Sequence, residues 1–265
     1  MADIKNHPTL PTGLVSYWNL DESGGVRKDS YGNNNLQDYN TVGSVAGLGG
    51  RLAANFNADN AESLFLDTQN SGLFISSRDV SVSDWFRISD NTIENNIITD
   101  SSGNNGVGTN FTVRYRGNLA TKRFQVVYAR SFSGPIIADT YEINLTENEW
   151  YFVVATIDIS SGNVGFLLKD TDGVSLINQT INNNPGYYVN TTGRDKFSIS
   201  SRSNSRGAID MFISTRMQSL GVWSKVLSSG EKNDLYNNGV PLFYENPLVN
   251  GGVVGQMMMR VNGVV

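Results

Sequence analysis

The sequence predicts an all-β protein, a two-sheet antiparallel sandwich, on three observations. Short runs rich in Val, Ile, Phe and Tyr recur along the chain at even spacing. Clusters of Asn, Gly, Asp and Ser separate them, and Asn and Gly tolerate the positive φ that tight turns demand. A single segment, close to the C-terminus, carries helix signals.

The composition agrees with that reading. Of 265 residues, 39% are hydrophobic and 17% charged, while Gly occurs 27 times and Asn is more frequent still. The length suffices to bury a large core within one domain. A net charge of -5 argues against nucleic acid, because a phosphate backbone is held by clustered Lys and Arg. Arg114 with Arg116, and Lys122 with Arg123, are isolated basic pairs expected on solvated strand faces. There is no Cys, hence no disulfide and no thiolate metal site. No apolar run approaches the roughly 20 residues of a membrane span, so no membrane insertion is expected. Met1 to Pro8 lacks the apolar stretch of a signal peptide.

Residues 1–12 contain Pro8 and Pro11 and read as an extended arm. Strand signals begin at Leu14–Leu20 and continue through Leu52–Phe56, Leu64–Leu66 and Leu73–Ile75. Val80 to Ile88 alternates with period 2. Ile93–Thr99, Phe111–Arg116 and Arg123–Ala129 follow. Trp150 to Ile157 is apolar at both parities, as expected of a strand buried on both faces. Val164–Leu168 returns after the turn Ser160-Ser161-Gly162-Asn163, and Phe197–Ser200, Ile209–Ser214 and Leu220–Trp223 complete the series. Ser228-Ser229-Gly230-Glu231 matches a capping box, in which hydroxyl and carboxylate satisfy first-turn amides reciprocally. Leu235 and Tyr236 lie within that helix, and Gly239 and Pro241 end it.

Three separated segments carry a family resemblance. They are Gly13-Leu14-Val15-Ser16-Tyr17-Trp18-Asn19-Leu20-Asp21-Glu22 with Asp29-Ser30-Tyr31-Gly32-Asn33-Asn34, then Glu149-Trp150-Tyr151-Phe152-Val153-Val154-Ala155, then Leu220-Gly221-Val222-Trp223-Ser224 to Asn238-Gly239. In that order and spacing they resemble the laminin G-like, concanavalin A-like lectin/glucanase superfamily over residues 13–240. The resemblance implies a jelly-roll sandwich, with an arm at 1–12 and a tail at 241–265 left for assembly contacts. Many relatives carry an acid just before the closing strand that helps to hold calcium. This chain has Met217-Gln218-Ser219 there, which puts a copied calcium site in doubt.

Chemistry-bearing motifs are sparse. Glucanase relatives place two Glu around an Asp on one strand face, so that one carboxylate serves as nucleophile and the other as acid. The nearest approach here, Glu142-Ile143-Asn144-Leu145-Thr146-Glu147, has Asn for Asp and the second Glu at the opposite parity. The single His, His7, lies in the arm, with no partner for triad chemistry. No catalytic residue is assigned and no enzyme is expected. The loop from Asp21 to Asn35 offers oxygen ligands of the kind calcium prefers, with Asp21 and Asp29 as candidates; the competing and favoured role for Asp29 is to accept amide hydrogen bonds within its turn. No other cofactor is expected.

Glycan recognition calls for exposed aromatic rings and planar polar groups. Trp18, Trp150 and Trp223 are expected in the core. Trp85 alternates with Ser81, Ser83 and Arg87 and is a candidate to line a groove. Tyr187 and Tyr188, in an Asn-rich loop, are the other candidates. Met257-Met258-Met259 suits an adaptable contact surface in the tail. The expected function is a non-enzymatic bacteriophage virion surface or tail-fibre-associated protein, made in the host cytoplasm. Its sandwich would bind glycans or cell-surface polysaccharide for host adhesion, with other virion proteins and further copies of itself as partners. The alternative is a structural decoration or cement protein that makes only protein–protein contacts.

Overall fold

The computed structural model describes residues 3–67, 73, 79–101, 111–129, 136–182, 196–203 and 209–245. The first strands are β1 (Leu14–Trp18), β2 (Gln37–Tyr39), β3 (Gly43–Ala46), β4 (Leu52–Phe56), β5 (Ser63–Asp67) and β6 (Val80–Ile88). Next come β7 (Glu94–Ser101), β8 (Phe111–Arg116), β9 (Arg123–Ala129), β10 (Ile136–Glu142), β11 (Tyr151–Asp158) and β12 (Asn163–Asp170). Then follow β13 (Ser175–Asn182), β14 (Lys196–Ile199), β15 (Arg202–Ser203), β16 (Ile209–Asp210), β17 (Thr215–Trp223) and the helix α1 (Ser229–Tyr236).

Two antiparallel sheets hold nearly all of these. An eight-stranded sheet runs β13-β12-β11-β6-β17-β4-β3, with β1 paired to the second half of β17. A seven-stranded sheet runs β10-β9-β8-β7-β14-β5-β2, and β15 with β16 forms a small hairpin. The main core lies between the sheets. Val80, Val82, Phe86 and Ile88 of β6 face it, as do Phe111, Val113 and Tyr115 of β8. Trp18 stacks on Phe197 across the gap, with centroids 5.5 Å apart, and joins the two layers.

A second cluster covers the opposite face of the eight-stranded sheet. Trp85, Phe152, Val154 and Trp223 project outward from it and are roofed by Ile4, Leu10, Leu235 and Leu242. This is why β11 is apolar at both parities: Tyr151 and Val153 serve the inner core while Phe152 and Val154 serve the outer one. The capping box on α1 forms as its sequence predicts, Ser228 accepting from the Glu231 N–H and Glu231 from the Ser228 N–H.

The arm departs from expectation. Residues 3–12 form successive turns instead of an extended segment, and Ile4 and Leu10 are fully buried. Their side chains have apolar surface waiting for them, and the backbone is tied down. The Trp223 indole donates to the Leu10 carbonyl at 2.8 Å, and the Ile4 N–H to the Phe243 carbonyl at 3.1 Å. The start of the expected tail, 241–245, belongs to the same roof, the Tyr17 hydroxyl donating to the Leu242 carbonyl at 2.6 Å. Met217-Gln218-Ser219 lies inside β17, not before it, at a bulge where Ser219 has φ 61°. The expected strand at Leu73–Ile75 falls almost entirely outside the described residues, as does the Met257-Met258-Met259 run.

Candidate functional site

With one sheet face roofed, the outer face of the seven-stranded sheet is the other broad face, and along β7, β8 and β9 its side chains are mostly polar and in several places buried. Register places Glu94, Asn96 and Thr99 of β7 on that face, opposite Arg116, Arg114 and Thr112 of β8. Gln125 of β9 continues the row beside Arg114. A bulge between Asn96 and Ile98 turns both Ile97 and Ile98 into the core, so the polar side chains on either side of it share the outer face.

These groups form a network. Arg114 donates through Nε to Gln125 at 2.9 Å and through a terminal nitrogen to Glu94 at 2.9 Å. Arg116 Nε meets the other Glu94 oxygen at 2.9 Å. Burial lowers the Arg114 pKa; Glu94 opposes that shift, and the nearby Arg116 and Arg202 reinforce it. Arg202, on the small hairpin, grips Asp210 through two contacts of 3.1 and 3.2 Å. That hairpin packs against β7 and β14. Asn96 and Thr99 are fully buried here, yet both amide atoms of Asn96 and the Thr99 hydroxyl have no hydrogen-bond partner. Orphaned buried polar atoms cost about 1–3 kcal/mol each, so their retention asks for an explanation.

Aromatic rings occupy the β2 end of the same face. Tyr39, 40% exposed, stacks on Phe212 at 5.8 Å and meets Phe65 edge-on at 6.3 Å. Four strand spacings separate β2 from β8, about 19 Å from the rings to the arginines.

The residues singled out from sequence lie elsewhere. Trp85 is 1% exposed and belongs to the roofed core, stacked on Tyr236 at 5.7 Å and close to Phe152 at 5.2 Å. It lines no groove, because its outward parity on β6 points beneath α1. Tyr187 and Tyr188 lie outside the described residues. Asp29 accepts hydrogen bonds from the N–H groups of Tyr17, Tyr31, Gly32 and Asn34, which is the turn role. Asp21 is bound to Arg51 at 2.8 Å, and Glu245 meets the same guanidinium. The two acids are thus committed separately. Among the described residues no group of three or more His, Asp or Glu is placed to hold a metal.

Glu142 lines a shallow cleft of about 340 Å³ with Lys122 and Asn144, whereas Glu147 accepts from the Asn91 N–H. The two carboxylates have separate surroundings. His7 is structural: its Nδ1 accepts from the Thr9 and Leu10 N–H groups, and Nε2 faces Asp234 at 3.2 Å. Arg114 and Arg116, expected in solvent, are only 21% and 25% exposed and are paired with Glu94. The signal that could have found them is the shared alternation of Glu94-Asn95-Asn96 and Arg114-Tyr115-Arg116.

The fold and this face together define an antiparallel two-sheet β-sandwich with one roofed and one largely polar outer face. No protein-family model matches the sequence, and no curated protein sequence is significantly similar to it. Solved structures do share the fold. The binding domain of botulinum neurotoxin DC in complex with rat synaptotagmin II superposes with a TM-score of 0.61 at 14% identity, over 86% of this chain and 52% of that one. The same binding domain in complex with SialylT gives 0.60 at 13%, over 86% and 52%. The binding domain of Paraclostridial Mosquitocidal Protein 1 gives 0.60 at 16%, over 86% and 53%. This chain therefore spans about half the length of the structures it resembles. Each is described as a binding domain, not a catalytic one. Among the described residues no helix is long and apolar enough to cross a membrane.

Proposed function

We propose that this protein is a non-enzymatic glycan-binding domain that holds its ligand on the outer face of the seven-stranded sheet. The observation that carries the reading is the set of unpartnered buried groups on Asn96 and Thr99 beside the Arg114–Glu94–Arg116 network. Hydroxyl-rich ligands donate and accept at short range, and would complete these groups once the β15–β16 hairpin gives way. Tyr39, at the far end of the face, supplies a ring on which a sugar can stack. Support also comes from the fold, which is shared with a toxin binding domain solved in complex with SialylT.

The finer setting we propose is adhesion, from the surface or tail fibre of a bacteriophage virion. Capsid or tail genes alongside the coding sequence would support that placement, and their absence would remove it. The alternative is a decoration protein making only protein–protein contacts.

A glycan array on the purified chain separates the two. Reproducible binding that Arg114→Ala abolishes and Tyr39→Ala weakens, by up to about tenfold for a lost ring contact, supports the glycan reading. Silence across the array, with the chain folded, favours the decoration role. Binding that both variants leave untouched places the ligand elsewhere on the molecule.

A further inference from the structure

Four strands end the paths of the two sheets, while β1, off the path, has its outer side taken by Asp29 and Ser30; the four treat the exposed edge differently. An unpaired strand edge is a template for another chain, and proteins blunt it with short strands, charges or proline. On the seven-stranded sheet, β2 has three residues including Asp38, and β10 contains Asp139 and Glu142 in its sequence and follows Pro135. On the eight-stranded sheet, β3 has four residues. The remaining edge is β13, eight residues reading Ser-Leu-Ile-Asn-Gln-Thr-Ile-Asn, with no charge, no Pro and no Gly. Six of the eight are exposed. Leu176 within it is 39% exposed, and Val174 in the turn leading into it 55%.

We propose that β13 pairs antiparallel with β13 of a second copy, joining the two eight-stranded sheets through a two-fold axis at Gln179. The strand's own pattern selects this occupant. Side chains of a strand alternate, so antiparallel pairing must oppose residues of one face, and a one-residue slip would mix the faces. Ile177, Gln179 and Ile181 share the inner parity, since Ile177 pairs with Leu168, Gln179 with Phe166 and Ile181 with Val164. A two-fold at Gln179 sets Ile177 beside Ile181 of the second copy, twice, and Gln179 beside its own counterpart. Asn178 and Thr180 then meet on the outer parity. Ile181, half-buried at the rim of the core, becomes enclosed. No like charges meet anywhere along the seam. A stranger's strand would need the same apolar-polar-apolar order and the same neutrality; a second copy has both by construction. The inference is independent of the glycan reading.

The test uses the full chain and sedimentation velocity over a concentration series. The wild type is expected to reach twice the monomer mass of 29.0 kDa. Gln179→Lys places two ammonium groups opposite each other on the axis, and Gln179→Glu two carboxylates; directly opposed like charges destabilise a strand pair. Each variant alone is expected to run at monomer mass with wild-type circular dichroism and melting temperature. Mixing them in equal amounts is expected to restore the double mass, because Lys then faces Glu. Amide exchange in Ser175–Asn182 of the wild type should slow as concentration rises. A wild type that stays at 29.0 kDa, or variants that dimerise as well alone as mixed, would overturn the proposal. The second result would move self-association to another surface, such as residues 246–265.

Discussion

Asp84 stands on the inner parity of β6, between Val82 and Phe86 and opposite Val153, with both carboxylate oxygens buried and unpartnered. Burial pushes its pKa well above the usual carboxylate range. The sign of the consequence follows from linkage. Below the unfolded-state pKa both states hold the proton and nothing is lost. As pH rises past that value the unfolded chain ionises freely while the folded one cannot, so stability falls until the folded pKa is reached. Asp84→Asn should therefore melt higher than wild type at neutral pH, with the gap closing as pH falls toward about 4. Thermal melts of both proteins across that range check it; a gap that is flat or reversed sinks the assignment. Asp29 is the opposite case, a carboxylate whose position is fully used. Asp29→Ala strands the buried Tyr17 N–H and three part-buried ones, and leaving a buried one unsatisfied costs about 1–3 kcal/mol, which chemical denaturation would register. Its role in the loop was legible from an Asp before Ser-Tyr-Gly-Asn. Asp84 was half legible: the alternation puts it on the parity of Val82 and Phe86, but nothing in the sequence says that its carboxylate stays unpartnered there.

At the scale of elements, the roof is what the sequence concealed. Ile4, Leu10 and Leu242 lie in segments with no periodicity, so nothing in the chain announced that they close over Trp85 and Trp223. Deleting residues 1–12 should uncover that cluster and lower the melting temperature, and Trp150→Ala, cutting into the same cluster, should cost about 3–5 kcal/mol. Both are read by denaturant titration, and an unchanged midpoint for the deletion would make the arm dispensable. A truncation meant to probe the tail belongs after Glu245, since Tyr244 is bonded to Asn19 through both its N–H and its carbonyl. Strands with strong apolar content, such as β6, β8, β9 and β11, and the capped helix were legible because one or both faces are buried. Strands β2 and β3 are too short to establish a period. Strand β13 escaped because six of its eight residues face water, and a strand with little to bury writes little alternation. The polar face was half legible: Arg114 and Arg116 were visible as a pair, but their partner Glu94 lies on another strand, and only the register of β7 against β8 brings the three together.

The whole molecule is one-sided. The roof occupies one outer face, the polar network occupies the other, and the edge at β13 lies between them. A two-fold axis that opposes inner parity to inner parity stands perpendicular to the eight-stranded sheet, so it leaves both seven-stranded sheets on the same side. Both Arg114 networks of such a pair then look in one direction. On the proposed glycan reading a free oligosaccharide would not sense this, since each face would bind alone. On a densely coated surface, the first contact holds the second face at high effective concentration, and apparent affinity rises by about 10²–10⁴ without any new contact. Gln179→Lys, which touches neither Arg114 nor Tyr39, should accordingly keep its affinity for a soluble glycan in calorimetry while dissociating quickly from an immobilised layer of the same sugar. The seam at one edge strand would let two faces of modest individual affinity act as one avid, two-footed clasp.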